Sequence, residues 1–305
     1  MTTPRERLGG YLAVMGAATL WGVSGVVAKS LFNRQIAPWT LIEIRLTAGF
    51  ALLLGVLLVQ RVRLRVPREH LGRLILLGLA MTSAQFTYYF TISVANVATA
   101  LFLQYTAPVF VALYGRAVER EPLGWLKAGA IGLAVLGSYF LVTGGTGIRV
   151  QPVGITTGLL SAVAFGVYAI LGRGRVRHVG STASLLYALG TGAVFWSLIV
   201  PPWRAYLAGY SAEEWLLFAY IVVFATILPF WLFLRGLRAI SSSMASLTAT
   251  LEPAVGGTAA FLVLGEILSG PQIAGGLAIA AAVALMQVAD IRTARAEATL
   301  PPAPN

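Results

Sequence analysis

Residues 38–59 read PWTLIEIRLTAGFALLLGVLLV, a run of 22 residues whose ionisable side chains are Glu43 and Arg45 alone. An α-helix rises about 1.5 Å per residue, so about 20 mainly apolar residues cross the hydrocarbon core of a bilayer, which is about 30 Å thick. This stretch therefore predicts a membrane-spanning helix.

Similar apolar runs lie on both sides of this one, separated by short loops that carry most of the charge. The ten predicted spans are Gly10 to Lys29, Pro38 to Val59, Leu71 to Ser93, Val97 to Gly115, Gly124 to Thr143, Val153 to Leu171, Ser181 to Val200, Glu214 to Leu234, Ser243 to Gly265 and Pro271 to Ala289. Hydrophobic residues make up 58% of the 305 residues and charged residues 11%, far from the composition of a soluble domain. We expect an all-α integral membrane protein.

The positions of the basic residues predict its orientation. Seventeen Lys and Arg residues lie at the amino terminus, in alternate loops and in the tail, whereas four lie in the intervening loops. By the positive-inside rule both termini are expected in the cytoplasm, and an even number of spans agrees with this. The net charge of +11 therefore reflects topology, and no nucleic-acid partner is expected.

The residue types present exclude several classes of site. The chain has no cysteine, so it cannot form a disulfide or a thiolate metal site. His70 and His178 are the only histidines, and both lie in charged loops. No nucleotide-binding motif occurs. We expect no enzymatic activity, cofactor or metal, while a channel-like pore or a scramblase remains an alternative.

The sequence repeats one pattern twice. Pro108 is followed thirteen residues later by Glu121, and Pro253 is followed thirteen residues later by Glu266. The second pair therefore lies 145 residues after the first. Two further matches lie 144 residues apart, Trp21-Gly22 with Phe165-Gly166 and Gly132-Leu133-Ala134 with Gly276-Leu277-Ala278. Because each copy has five predicted helices, the second copy would enter the membrane inverted. Inverted repeats are typical of transporters that work by alternating access.

The repeat divides the chain into 1–147, the first five-helix repeat, and 148–291, the second. The glycine-rich segment between Thr143 and Pro152 is the predicted joint, and 292–305 is predicted to be a disordered cytoplasmic tail. One chain already contains both halves, so a monomer is expected.

The string LWGVSGVVAKSLF at residues 20–32, followed by Pro38 and Arg45, resembles the opening of the EamA type within the drug/metabolite transporter superfamily. The segments 108–121 and 253–266 resemble its recurring proline-to-GE segment, although Arg120 replaces the glycine in the first copy. The resemblance implies ten helices around a central cavity. It also implies an interior position for Arg45, and relatives that include amino-acid exporters of the YddG type.

Ionisable groups inside membrane spans are costly and commonly functional. Glu252 directly precedes Pro253, which favours a break in the helix and free carbonyls beside a carboxylate. Such a group could bind an ammonium or a proton, or it could be a protonated side chain that fixes the kink. Arg45 either faces the interior or extends to the lipid headgroups. Glu43 lies two residues away and faces elsewhere, so we expect no pair between them.

Polar and aromatic side chains complete the predicted substrate site. Gln85 with Tyr88 or Tyr89, and Gln104 with Pro108, are three or four residues apart, so each set shares a helix face. An interfacial aromatic belt is the competing explanation for the Trp and Tyr residues. Besides Arg45 and Glu252, the candidates are Trp21, Gln85, Tyr88, Tyr89, Gln104, Tyr105, Tyr168, Trp231 and Thr248, with Pro108 and Pro253 as hinges.

The predicted function is export of small metabolites by a secondary transporter that works by alternating access. Amino acids are the expected substrates, and drugs, nucleosides or other metabolites are the alternatives. The expected partners are this small molecule and the lipid bilayer of a bacterial inner membrane. Transport would be passive or coupled to an ion gradient, with protons at Glu252 or Glu43. Glu121 and Glu266 are expected to be structural, because they precede helices whose positive dipole ends they complement.

Overall fold

A computed structural model of the protein describes residues 3–62, 66–94, 97–121, 123–145, 151–264 and 269–299, and every regular element within them is a helix. The first half contains α1 (Pro4–Asn33), α2 (Pro38–Val59), α3 (Arg68–Val94), α4 (Val97–Gln104), α5 (Ala107–Ala117) and α6 (Trp125–Thr143). The second half contains α7 (Pro152–Val179), α8 (Ser181–Ser197), α9 (Pro202–Tyr206), α10 (Ala212–Tyr220), a π-helical segment (Ile221–Ile227), α11 (Leu228–Gly236), α12 (Ser242–Ala249), α13 (Glu252–Leu264) and α14 (Gly270–Thr299).

Several helices are long and apolar enough to cross a membrane. In the described parts of the chain these are Pro38–Val59, Arg68–Ile92, Trp125–Thr143, Pro152–Arg173, Ala212–Gly236 and Gly270–Arg292. Each of the six coincides with one of the predicted spans. The all-helical membrane fold is therefore confirmed, while the division into ten spans stays a prediction.

Two of the predicted spans are interrupted at a proline. Pro108 and Pro253 lack the N–H group that would continue the helical hydrogen bonding from the preceding turn. Two residues separate α4 from α5, and two separate α12 from α13. In these gaps Thr106 and Thr250 each donate their N–H to the carbonyl oxygen three residues earlier, at 3.1 Å. The two breaks have the same length, and each contains a hydrogen bond of the shorter, three-residue kind.

Close contacts between helices join the two halves. α3 packs along α7, α1 along α11 and α13, α2 against α8, and α6 against α14. A methyl group added at Gly137 of α6 would lie 2.7 Å from the carbonyl oxygen of Gly275 on α14. One added at Gly22 of α1 would lie 2.6 Å from the carbonyl oxygen of Glu252. These approaches require glycine, as is common where membrane helices meet.

The carboxyl-terminal tail differs from its predicted disorder. α14 continues to Thr299, because residues 289–298, ADIRTARAEA, consist mainly of good helix formers. Asp290 also fastens α14 to α1, since its carboxylate accepts from Arg7 Nη1 at 3.1 Å and from Tyr11 Oη at 2.8 Å. Residues 300–305 lie outside the described ranges.

The predicted joint between the halves is described at its beginning. Gly144 ends α6 in the left-handed conformation with φ 61°, and its N–H donates to the carbonyl oxygen of Phe140 at 2.9 Å. Residues 146–150, with Gly147, lie outside the described ranges, as do Gly265 and Glu266 of the second repeat.

Candidate functional site

Arg45 lies in the interior of the helix bundle, with 6% of its surface exposed. Its Nε donates to Thr226 Oγ1 at 3.0 Å, its Nη1 to Tyr89 Oη at 2.9 Å, and its Nη2 to the carbonyl oxygen of Ala225 at 2.9 Å. In the described part of the chain, no carboxylate forms an ion pair with it. Arg45 therefore faces the interior rather than the headgroups, and its charge has neutral partners.

The backbone before Pro229 supplies the acceptor for Arg45. In an α-helix the carbonyl oxygen of Ala225 would accept from residue 229, but Pro229 has no N–H. The π-helical segment Ile221–Ile227 also widens the helix here, and such segments are frequent at functional sites. Thr226 Oγ1 donates to the carbonyl oxygen of Ile221 at 3.0 Å, which leaves its lone pairs directed to Arg45.

Glu252 is the first residue of α13, directly after the helix break, and it is half-buried. Its carboxyl group interacts electrostatically with Arg45 and Tyr105, and also with Tyr88. The Tyr105 hydroxyl is buried beside this carboxyl but falls outside hydrogen-bond geometry, and it has no other partner among the described atoms. The structure thus brings Arg45, Tyr88, Tyr89, Tyr105 and Glu252 into one group.

One face of α3 contributes both rings and an amide to this group. Tyr88 and Tyr89 meet edge to face at 5.3 Å, and Tyr89 meets Phe32 of α1 at 5.8 Å. Gln85 lies one turn earlier and is buried. Neither its amide nitrogen nor its amide oxygen has a hydrogen-bond partner among the described atoms. This face therefore has a free donor and a free acceptor beside aromatic surface.

Gln104 is already engaged by neighbouring helices. Its Nε2 donates to Ser161 Oγ at 3.0 Å, and Ser161 Oγ donates to the carbonyl oxygen of Ala84 at 2.9 Å. These bonds connect the end of α4 to α7 and α3. Gln104 thus holds three helices together beside the Arg45 group.

Trp21 and Tyr168 belong to an aromatic cluster between α1, α7 and α11. Trp21 meets Phe230 at 5.0 Å and Phe165 at 6.3 Å, and Tyr168 stacks on Phe233 at 5.9 Å. Tyr168 is completely buried, and its hydroxyl has no hydrogen-bond partner in the described chain. The cluster is a packed aromatic surface, and the Tyr168 hydroxyl within it has no hydrogen-bond partner among the described atoms.

Two candidates have hydrogen-bond partners outside the Arg45 group. Trp231 Nε1 donates to Thr182 Oγ1 at 2.9 Å, and the Arg235 guanidinium lies 5.2 Å from the centre of the Trp231 ring. Thr248 Oγ1 accepts from Gln287 Nε2 at 3.5 Å. These side chains connect α11 to α8 and α12 to α14, so their observed contacts are between helices.

Sequence reasoning missed the acceptors that hold Arg45. The acceptor at Ala225 could have been predicted from Pro229. A proline has no N–H, so the carbonyl oxygen four residues before it lacks its α-helical donor. Thr226 has no comparable signal, since it is one hydroxyl in an apolar run and its role depends on the π-helical segment. Ser161, which accepts from Gln104, was missed because it is also a single hydroxyl in an apolar run.

A second charged cluster surrounds Glu121 at one end of the bundle. Its carboxylate accepts from Lys127 Nζ at 2.9 Å, from Arg173 Nη1 at 2.8 Å and from Ser243 Oγ at 3.3 Å. Burial alone would raise the pKa of Glu121, but Lys127 and Arg173 together bring this pKa below the ordinary value of 4.5. Glu121 therefore joins segments from both halves, which the helix-dipole interpretation did not anticipate. No three His, Cys, Asp or Glu side chains gather as a metal site within the described ranges.

Comparison with known families decides the class of protein. The sequence profile of the EamA-like transporter family matches residues 8–143 and, separately, residues 152–288. This chain belongs to the EamA-like transporter family. The resemblance predicted from residues 20–45 is confirmed, and the EamA-family assignment makes the protein a transporter rather than an enzyme.

Relatives of this EamA-family chain match it along most of their length. The Salmonella typhimurium LT2 protein named "Uncharacterized inner membrane transporter YicL" is 29% identical over 297 residues, which are 94% of this chain and 98% of that protein. The threonine/homoserine exporter RhtA of Escherichia coli K12 is 26% identical over 277 residues, 89% of this chain and 85% of RhtA. A solved crystal structure with 18% identity has the same fold, with a TM-score of 0.77 over 93% of this chain and 98% of its own. The EamA-family chain is a multi-pass protein of the bacterial inner membrane.

Proposed function

We propose that this protein exports small zwitterionic amino acids by alternating access. The observation that carries the proposal is the meeting of a guanidinium and a carboxyl group at one interior site, Arg45 on α2 and Glu252 at the start of α13. An amino acid carries a carboxylate and an ammonium on one carbon. Its carboxylate would meet the Arg45 guanidinium, and its ammonium would meet the carboxyl group of Glu252 and favour the ionised form of that group.

Arg45 retains donors for a substrate carboxylate. A guanidinium has five N–H groups, and described residues engage three of them, one on each nitrogen. One N–H remains on each terminal nitrogen, which suits the two oxygens of a carboxylate. A bound carboxylate would also neutralise a buried charge whose protein partners are neutral, which lowers the cost of burying both.

Gln85 supports a substrate with a polar side chain. Its buried amide has an unused donor and an unused acceptor, and it lies one helical turn from Tyr88 and Tyr89, which belong to the Arg45 group. A hydroxyl on the substrate could satisfy both amide atoms. The name of RhtA, a threonine/homoserine exporter, supports the same substrate class.

Aromatic amino acids are the second candidate class, as expected for an exporter of the YddG type. The observation that favours them is the aromatic cluster around Trp21, in which Tyr168 is fully buried with an unused hydroxyl. A ring on the substrate could stack against this cluster, and aromatic pairs contribute about 0.5–1.5 kcal/mol beyond area burial.

The proposed architecture is ten spans in two inverted five-helix halves, with both termini in the cytoplasm. The separate matches of residues 8–143 and 152–288 to one family profile support the repeat. The helix pairing also agrees with a pseudo-two-fold axis, since α3 packs along α7 while α11 packs along α1. The distribution of Lys and Arg supports the orientation.

The equal breaks at Pro108 and Pro253 are proposed as the hinges of alternating access. A helix that is interrupted by two residues bends more easily than a continuous helix. Glu252 is attached directly to the second break. Binding of a substrate ammonium at Glu252 would therefore act on a hinge residue, which connects occupancy to the change of state.

Uptake into proteoliposomes tests the function. The full chain is reconstituted, and counterflow is measured with labelled threonine, homoserine, methionine, phenylalanine and a nucleoside. We expect saturable uptake of threonine and of homoserine, and we expect each of these amino acids to inhibit uptake of the other. Uptake of phenylalanine alone would favour the aromatic class. Uptake of the nucleoside alone would overturn the amino-acid proposal, and non-saturable flux would indicate a channel-like pore.

A further inference from the structure

A second buried carboxyl lies on the side of α2 that faces away from Arg45. Glu43 is 0% exposed, and at two-residue spacing its side chain leaves the helix in a different direction from Arg45. Its Oε1 accepts from Ser197 Oγ of α8 at 2.9 Å. Its Oε2 is buried and has no hydrogen-bond partner among the described atoms.

The hydroxyl groups nearest to Glu43 are committed to its backbone and to each other. Thr47 Oγ1 donates to the carbonyl oxygen of Glu43 at 2.6 Å and shares a hydrogen bond of 2.7 Å with Tyr206 Oη. The phenol of Tyr206, at the end of α9, lies near the carboxyl group of Glu43. These contacts leave Oε2 unsatisfied.

Charged and titratable groups on the elements packed against α2 have other partners or face solvent. Ser197 of α8 is uncharged, and Tyr206 of α9 is neutral as a phenol at physiological pH. Among the other groups, Arg204 of α9 is exposed, Glu213 and Glu214 of α10 bond Arg34 and Ser211, and Tyr89 of α3 bonds Arg45. Thr226 of the π-helical segment accepts a hydrogen bond from Arg45.

We propose that Glu43 is a proton-binding site, separate from the Arg45–Glu252 site, that couples export to a proton gradient. A buried carboxylate with one hydrogen bond is unfavourable, whereas a protonated carboxyl is neutral. Glu43 therefore holds a proton in this conformation. When α2 moves away from α8, the bond to Ser197 is lost and water reaches the carboxyl. The O–H bond then breaks, the proton passes to water, and the carboxylate remains.

The helix α2 provides the connection between proton and substrate. Arg45 on one side holds the substrate carboxylate, and Glu43 on another side holds the proton against α8. A displacement of this one helix changes the surroundings of both groups together. The coupling step rests on the proposed export function, whereas protonation of Glu43 does not, so the two can be tested apart.

Infrared spectroscopy tests the proton site without any substrate. The absorbance of protonated carboxyl groups is recorded at neutral pH for the full chain in lipid nanodiscs. We expect Glu43→Gln to lose part of this absorbance. We expect Ser197→Ala to shift the absorbance, because the carboxyl loses a hydrogen bond.

Glu69→Gln, at an exposed carboxylate, is the matched control and leaves the spectrum unchanged. If Glu43→Gln fails to fold, the Ser197→Ala spectrum decides. An unshifted band in Ser197→Ala, or undiminished absorbance in folded Glu43→Gln, overturns the proposal.

Proteoliposomes with an imposed pH gradient test the coupling. We expect folded Glu43→Gln to exchange labelled threonine for unlabelled threonine at equal pH as the wild type does, while the gradient no longer drives accumulation. Accumulation by Glu43→Gln at the wild-type level overturns the coupling. A wild-type protein that moves no amino acid overturns the proposed substrate class instead, and the infrared result still decides whether Glu43 binds a proton.

Discussion

The Arg45 guanidinium donates hydrogen bonds to Thr226, Tyr89 and the carbonyl oxygen of Ala225. These three partners are neutral, so the positive charge remains. Lysine at this position keeps the charge but has a single nitrogen, which cannot reach all three acceptors and a substrate carboxylate. We expect Arg45→Lys to weaken substrate binding by about ten-fold to a hundred-fold, the equivalent of one charged hydrogen bond. Direct binding of labelled substrate in detergent measures this. Arg204→Lys, at an exposed arginine, is the control, and equal affinities in the two variants would contradict a substrate role for Arg45.

Glu252 is assigned to the substrate ammonium, and this assignment predicts a change in selectivity. Glu252→Gln keeps the shape of the side chain and removes its charge. We expect the wild type to prefer threonine over the α-hydroxy acid that lacks its ammonium, and the variant to lose about ten-fold or more of this preference. Competition of the two compounds against labelled threonine measures the ratio. A preference that survives in Glu252→Gln would leave the kink-fixing role of Glu252 as the better explanation.

The residues of the site were only partly predictable. Arg45 and Glu252 could be found because ionisable side chains are rare inside apolar runs, and Tyr88 and Tyr89 because helical spacing puts them on one face with Gln85. Their assembly into one group depends on packing between helices that are distant in sequence. Thr226 could not be found, because its position opposite Arg45 is a product of that packing.

At the scale of the elements, the packing of α1 against the second break depends on Gly22. A methyl group there would lie 2.6 Å from the carbonyl oxygen of Glu252 and 2.9 Å from the nitrogen of Gly256, and backbone atoms cannot rotate away. We expect Gly22→Ala to lower the free energy of unfolding by about 1–3 kcal/mol. Gly132→Ala is the matched control, since nothing lies within 4 Å of its added methyl. Thermal unfolding in detergent measures both, and equal stability of the two variants would refute the α1–α13 contact.

The elements themselves differ in how far sequence predicts them. Both helix breaks follow from Pro108 and Pro253, because proline removes a backbone donor wherever it stands. The π-helical segment gave no such signal, since Ile221–Ile227 is an apolar run like those of ordinary spans. Residues 292–299 were predicted to belong to a disordered tail, but they continue α14 to Thr299, and their Ala, Arg and Glu residues favour that helix.

At the scale of the whole molecule, the two ends of the bundle are fastened unequally. At one end Arg34 and Glu213 pair with side chains that are 34% and 66% exposed, and exposed pairs contribute about 0–1 kcal/mol. At the other end Glu121 is 19% exposed and bonds Lys127 together with groups from the second half. Hydrogen bonds to charged groups contribute about 1.5–3 kcal/mol when buried. The Glu121 end is therefore the tighter of the two, and we expect the Arg34 end to open more readily.

Glu121→Gln is expected to loosen the tighter end in a manner that depends on pH. Allowing for partial exposure, we expect the variant to lose about 1–2 kcal/mol of stability at neutral pH. The cationic partners hold the pKa of Glu121 below 4.5 in the folded protein. The stability that ionised Glu121 contributes is therefore fully present above pH 4.5 and is lost as the pH falls through its lower folded-state pKa. Thermal unfolding of both proteins should show a difference at neutral pH that disappears in acid, and a difference that persists unchanged in acid would contradict the ionised state.

The same substitution should change access to the interior at that end. The chain has no cysteine, so a Ser242→Cys reporter, placed at a buried position beside Ser243, reacts with a water-soluble maleimide without background labelling. We expect Glu121→Gln to speed this reaction. The glutamine has no charge to bind Lys127 and Arg173, so the packing of residue 121 against Ser243 is weaker. Glu213→Gln breaks the exposed pair at the opposite end and serves as the control. If both variants label at the same rate, the closure of this end does not depend on Glu121, and the inequality of the two ends has another origin.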